Sequence, residues 1–196
     1  MTQKTNPIPK GYRTATPTLV VRGAAAAVDY YKSVFGAQEL SRHYGDDAAT
    51  VLRSEIKIGN SILHLVDEMP AFGILSPISL GGASGSIQLY LDDLDDAWAR
   101  ALAANAVVVR PLEDTYWGDR TGQIVDPFGH VWTLSKRVES VSKEELEKRA
   151  AALFAPLPET VDMPQTPAED AIPTVDISSP DLSVDIETAI ANGASL

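Results

Sequence analysis

The sequence predicts an α+β fold made of two copies of one βαβββ module, followed by a helix and a disordered acidic tail. Three observations carry this expectation. A strand, an amphipathic helix and three further strands recur in the same order at an offset of roughly 69–70 residues. Turn signals stand between the strands where hairpins require them. The charge pattern also breaks near residue 155: residues 156–196 hold eight acidic side chains, no Lys or Arg, six of the 13 prolines and no aromatic residue.

In the first module, 11–68, Thr16 to Val21 reads as a strand of β-branched and apolar residues ended by Arg22-Gly23. Ala24, Ala27, Val28, Tyr31 and Phe35 then fall on one face of a helix, and Gly36 supplies its stop. Strands follow over 39–43, 49–58 and 61–66, with Gly59-Asn60 as the hairpin turn between the last two. A Pro/Gly/Ser-rich linker, 69–85, separates the modules.

The second module, 86–141, repeats the order. Ser86 to Leu91 is a strand, and Asp92 or Asp93 is placed to cap a helix whose buried face is Leu94, Ala97, Trp98, Ala101 and Leu102. Strands are expected over 106–110, 120–125 and 130–135, the last two joined by the turn Asp126-Pro127-Phe128-Gly129. Ser142-Lys143-Glu144-Glu145 is a capping box that opens a helix over 142–155, with an apolar stripe at Leu146, Ala150 and Leu153.

Composition excludes several function classes. With no cysteine there is no disulfide framework, zinc-thiolate site, iron–sulfur cluster or thiol nucleophile. Sixteen basic against 27 acidic residues give a net charge of −11, which repels phosphate backbones and anionic membranes, so neither nucleic acid nor membrane is an expected partner. No apolar run approaches the roughly 20 residues of a membrane span. Residues 1–10 form a polar arm, and Met1 to Tyr12 lacks the apolar core of a signal peptide, so a cytoplasmic protein is expected. The tail buries too little apolar surface to offset its ordering entropy. Within it, Leu182, Val184, Ile186 and Ile190 form the one segment with the pattern of a docking element, so a protein partner for the tail is a further expectation.

Three stretches carry a family resemblance: "AAAAVDYYKSVFGA" after the first strand, "YLDDLDDAWARAL" after the fifth, and above all "YWGDRTGQIVDPFGHVWTLSKRVESVSKEEL". Over residues 10–150 the chain resembles the vicinal oxygen chelate superfamily, and most closely its PhnB-like glyoxalase/bleomycin-resistance branch. The resemblance implies paired modules forming a curved, mostly open mixed sheet, a homodimer and a small-molecule cavity on the concave face. Metal-dependent members carry His, Glu or Gln at positions matching Thr16, His64, Ser86 and Thr133 here. Only His64 is a good ligand for a divalent ion, because hydroxyls bind weakly without carboxylate or imidazole company. No cofactor is therefore expected. Glyoxalase, dioxygenase and thiol-transfer chemistry, each needing a Lewis acid, lose support.

Strand alternation assigns the faces. Leu19, Val21, Leu63, Leu65, Ile87, Leu89, Trp132 and Leu134 should lie under the helices. The opposite set, Thr16, Thr18, Val20, Ile62, His64, Val66, Ser86, Gln88, Tyr90, Val131, Thr133 and Ser135, is more polar and should face the ligand. The expected ligand-binding residues are Thr16, Thr18, His64, Gln88, Tyr90 and Thr133, with Trp117 and Arg120 from the second module. His64 is the one catalytic candidate, as a base; His43 reads as a loop residue, while His130 and Asp126 read as serving the turn backbone. No catalytic triad order, nucleophile elbow or phosphate-cradling loop is present. The sequence thus points to a protein that holds an aromatic or amphiphilic molecule in a dimer cavity. The alternatives are a lyase-like or dioxygenase-like enzyme, metal-dependent or using His64, and a scaffold acting through its acidic tail.

Overall fold

A computed structural model of the chain describes residues 6–153. Phe154 and the acidic tail, with its Leu182–Ile190 segment, lie outside the described residues, as do the first five.

Both modules are present. The first comprises β1 (Thr18–Val21), α1 (Ala24–Phe35), β2 (Gln38–Tyr44), β3 (Val51–Ile58) and β4 (Ser61–Asp67). A short helix, α2 (Pro77–Leu80), follows within the linker. The second module comprises β5 (Ser86–Tyr90), α3 (Leu94–Ala103), β6 (Val107–Asp114), β7 (Asp119–Val125) and β8 (Val131–Arg137). A final helix, α4, spans Lys143–Leu153. The strands form two four-stranded mixed sheets, ordered β1-β4-β3-β2 and β5-β8-β7-β6. In each, the first strand runs parallel to the last and the other pairs are antiparallel.

Local chemistry explains the boundaries. Gly36 ends α1 in the left-handed region (φ 65°), its N–H donating to Tyr31 O. At the other end Gly23 has no side chain to cap the helix, and Asp67 of β4 does so instead. Its Oδ1 accepts from the N–H of Gly23 (3.0 Å) and Ala24 (2.7 Å), and its Oδ2 from Val51 (2.7 Å). Asp93 stands at the N-cap of α3 without a capping hydrogen bond; its carboxylate pairs with Arg100 at 2.7 Å, a longer reach than the sequence reveals.

The face assignment holds for the core. Leu19, Val21, Leu63, Leu65, Trp132 and Leu134 are buried, and Ile87 and Leu89 pack against them. One apolar cluster spans both modules, with α1 against α3 and the rings of Tyr31, Phe35, Phe128 and Trp132 in mutual contact. At its centre the buried carboxylate of Asp126 accepts four hydrogen bonds: Tyr31 Oη and Trp132 Nε1, each at 2.7 Å, and the N–H of Phe128 and His130, each at 2.9 Å. His130 also bonds the carbonyl of Val20 at 3.0 Å, so its Nε2 carries the proton and ties the turn before β8 to β1. Asp126 and His130 thus serve more than their own turn: they join the modules.

Three expectations change. The linker is organised rather than merely flexible. Glu68 accepts from Arg22 Nε (2.6 Å), Ser76 N (3.1 Å), Ser76 Oγ (2.7 Å) and Ser79 Oγ (2.5 Å), and α2 begins at this knot. The stripe on α4 finds only partial cover among the described residues: Leu146 and Ala150 are half-buried, Leu153 is 65% exposed, and no residue of the helix is fully buried. Polar contacts hold that helix instead: Arg149 forks onto Glu139 at 2.7 and 2.8 Å and bonds Glu145 at 2.9 Å. Leu102 likewise is exposed on α3, whose buried residues are Leu94, Ala97 and Ala101, with Trp98 packed in part against the core.

Candidate ligand-binding site

The polar faces of the two sheets carry equivalent rows with different chemistry. Register aligns Thr18, His64 and Glu55 across the first sheet and Gln88, Thr133 and Gln123 across the second. The predicted site residues therefore divide. Thr18 and His64, with half-buried Thr16 just before β1, belong to the first sheet. Gln88, Tyr90, Thr133 and Trp117 belong with the second.

On the second sheet a cavity of about 310 Å³ opens over that row. Its floor is Gln88, Thr121, Gln123 and Thr133, and its wall comes from β6 and the loop after it, with Arg110, Glu113 and Trp117. The floor is internally hydrogen-bonded. Gln88 Nε2 donates to Ser135 Oγ at 3.0 Å, Gln123 Nε2 to Thr133 Oγ1 at 3.3 Å, and the hydroxyls of Thr121 and Ser135 lie 2.9 Å apart. These bonds fix the amides and leave their remaining donors and acceptors for a ligand.

Trp117 is fixed at the rim by Asp119. The carboxylate of Asp119 is buried and accepts from Tyr90 Oη (2.9 Å) and Trp117 Nε1 (3.2 Å), and it pairs with Arg137. Gly118 makes this possible. Its φ is 88°, and a Cβ there would stand 2.5 Å from the carbonyl oxygen of Glu139, so no other residue fits between Trp117 and Asp119. The Trp-Gly-Asp run was the available signal. Arg120 departs from expectation: it is not among the residues lining this cavity, and it pairs with Asp95 on α3 (3.2 Å) and Asp114 on β6 (3.3 Å).

On the first sheet, Arg53 Nη2 lies 3.1 Å from His64 Nε2 and its guanidinium also bonds Glu55 at 2.8 Å. A guanidinium only donates, so Nε2 holds the lone pair and the imidazole is neutral with its proton on Nδ1. Burial, then the Arg53 charge, holds the His64 pKa below its ordinary value, while Glu55 opposes the shift. Tyr12 Oη stands 3.4 Å from the same nitrogen. His43 is exposed at the end of β2.

This geometry tests the metal positions implied by the resemblance. Thr16 and His64 lie on one sheet, Ser86 and Thr133 on the other. The one strong donor atom, His64 Nε2, already accepts from a cation. Among the described residues no group of three or more His, Asp or Glu converges. The set does not fit a divalent ion.

Comparison with known proteins agrees with the fold. Residues 13–134 match the Glyoxalase/Bleomycin resistance protein/Dioxygenase superfamily, and the chain belongs to it. An uncharacterized protein of Mycobacterium tuberculosis strain H37Rv is 40% identical over 135 residues, covering 67% of this chain and 79% of that protein. An Arabidopsis thaliana gene product of known structure is 28% identical with a TM-score of 0.51, over 63% of this chain and 98% of that one. A Bacillus cereus structure described as a putative 3-demethylubiquinone-9 3-methyltransferase, PhnB protein, shares 18% identity with a TM-score of 0.50, over 63% and 99%. That last likeness is one of fold. No helix among the described residues is long and apolar enough to cross a membrane.

Proposed function

We propose that the protein binds a flat aromatic or amphiphilic small molecule over the polar face of the second sheet and holds it without converting it. The observation that carries this reading is the pairing of a neutral floor, Gln88, Gln123 and Thr133, with an indole pinned at the rim by Asp119. Amides and hydroxyls orient a ligand by hydrogen bonds, and a fixed aromatic wall supplies stacking at low entropic cost. The floor has no nucleophile beside a base, and the lone pair of His64 is engaged by Arg53 on the other sheet. Sequestration fits these groups better than turnover.

The same reading includes a homodimer. Edge strand β6 exposes Val107, Val108 and Val109 in succession, an open edge that soluble proteins usually protect. A second copy is the economical cover in a protein built from such sheets.

Thermal-shift screening of aromatic and amphiphilic metabolites, followed by calorimetry, tests the site. We expect a hit whose affinity falls roughly two- to tenfold in Trp117→Ala, as stacking of about 0.5–1.5 kcal/mol implies. We expect mass spectrometry to recover that ligand unchanged. Binding indifferent to Trp117 would overturn the site, and an altered product would establish the enzyme reading. Light scattering that gives a monomer mass at micromolar concentration would remove the dimer.

A further inference from the structure

We propose that the polar face of the first sheet is a second binding site, selective for a hydroxyaryl group, and that the chain's own Tyr12 occupies it. The two sheets carry the same strand order, yet one polar face bears an open cavity and the other is covered by the segment before β1. Ile62 belongs to the outward set by alternation but is only 5% exposed, with Gly11 lying over it: a Cβ on that glycine would meet Ile62 Cδ1 at 3.7 Å. A turn closed by Tyr12 N–H to Pro9 O (3.1 Å) then sets the phenol ring edge-on to the imidazole of His64, with centroids 5.9 Å apart.

The groups around that ring form the recognition set for a phenol. His64 Nε2, 3.4 Å from the hydroxyl, accepts a hydrogen bond; Arg53 donates; Glu55 accepts. The last two interact with the Tyr12 hydroxyl as well. A hydroxyl is both donor and acceptor, and this trio offers it both roles, whereas a purely apolar ring could add no bond to Arg53, Glu55 or His64, which already bond one another. The arm holds its place weakly. The 3.4 Å contact is long for a hydrogen bond, and apart from Tyr12 and Gly11 the described arm residues show one internal bond, Ile8 N–H to Asn6 Oδ1. Tethering nonetheless gives Tyr12 an effective concentration on the order of millimolar, so a free phenol must outcompete it.

The probe is 4-nitrophenol, titrated into the full-length protein and followed by calorimetry and by its absorbance. Tyr12→Ala removes the resident ring and should bind the probe saturably, roughly tenfold or more tighter than the native chain, as removal of a tethered competitor predicts. Tyr12→Ala/His64→Leu should lose that gain, and Tyr12→Ala/Trp117→Ala should keep it. The methyl ether 4-nitroanisole should gain nothing from Tyr12→Ala. Equal affinity in the native and Tyr12→Ala chains, a gain that persists without His64, a gain that needs Trp117, or equal binding of the ether would each overturn the proposal. Melting curves of all variants confirm folding, and Tyr12→Phe, which keeps the ring, gives a variant with minimal structural change whose probe affinity must lie between native and Tyr12→Ala. The second-sheet site enters only through Trp117, so its failure is read separately from this one.

Discussion

Replacing Asp126 by Asn tests whether one carboxylate holds the two modules together. The exchange keeps shape and removes charge. In the native chain Asp126 Oδ1 takes the N–H of Phe128 and His130, and Oδ2 takes Tyr31 Oη and Trp132 Nε1. Asparagine can keep its oxygen on the two amides, but its NH2 then faces the phenol and the indole. The Tyr31 hydroxyl can turn and accept; an indole N–H only donates and is left unpaired in a site where Trp132 is fully buried. The loss comprises a hydrogen bond to a charged group, about 1.5–3 kcal/mol, and weakening of the other three. We expect a destabilisation of about 3 kcal/mol, lowering the Tm by roughly 6–12 °C at 2–4 °C per kcal/mol for a domain of this size. Urea unfolding measures it directly. In the Asp126→Asn background, Trp132→Phe should cost less than it does alone, because the unpaired donor leaves with the indole. A variant within about 1 kcal/mol of native stability, or strict additivity in that cycle, would refute the reasoning.

Three further outcomes follow from the core and the linker. Gly122→Ala should destabilise by about 1–3 kcal/mol in urea unfolding, since strain arises wherever a packed side chain must move; a Cβ on that glycine would stand 2.6 Å from the Trp98 ring. Tyr30→Phe should leave stability unchanged or raise it by a few tenths of a kcal/mol by the same assay, because its buried hydroxyl has no hydrogen-bond partner among the described residues and its removal relieves an unmet desolvation cost. Glu68→Gln should lose stability at neutral pH but converge on native in acid. The hydroxyls of Ser76 and Ser79, then Arg22, hold the Glu68 carboxyl down to about 2, so its contribution is complete above about pH 4.5 and disappears as pH falls through about 2. Melting temperatures of both proteins across pH 2–7 check the sign; a gap that widened in acid would contradict it.

What the sequence revealed and what it hid have separate physical causes. Strand and helix identities were legible because Leu19, Val21, Leu63 and Leu65 alternate with polar residues and α1 repeats its apolar positions at helical spacing. The Asp126–Gly129 turn was legible because Pro and Gly punctuate it locally. Long-range polar partners were not. Nothing near Asp67 in sequence marks it as the cap of a helix beginning 43 residues earlier, and nothing near Asp119 marks it as the anchor of Tyr90. Arg120 was misplaced for a related reason. Alternation puts it on the face opposite Asp119 and Thr121, where Asp95 and Asp114 pair with it, and residue type alone does not reveal those partners.

Duplication gives the two sheets one backbone and one core, and the core tolerates little divergence. Trp132 and Leu134 must fill what Leu63 and Leu65 fill in the other module, and Tyr31 must reach across to Asp126. The outward rows carry no such obligation. At the same register positions stand a hydroxyl, an imidazole and a carboxylate in one sheet and two amides with a hydroxyl in the other. A charged row attracts partners that satisfy charge, and Arg53, Glu55, His64 and Tyr12 satisfy one another. A neutral row satisfies itself only in part, since each amide bonds one neighbour and retains capacity toward solvent. The asymmetry in binding capacity therefore comes from outward side chains alone. Exchanging Gln88 or Gln123 should alter affinity with little effect on stability, whereas exchanging Asp126 should do the reverse.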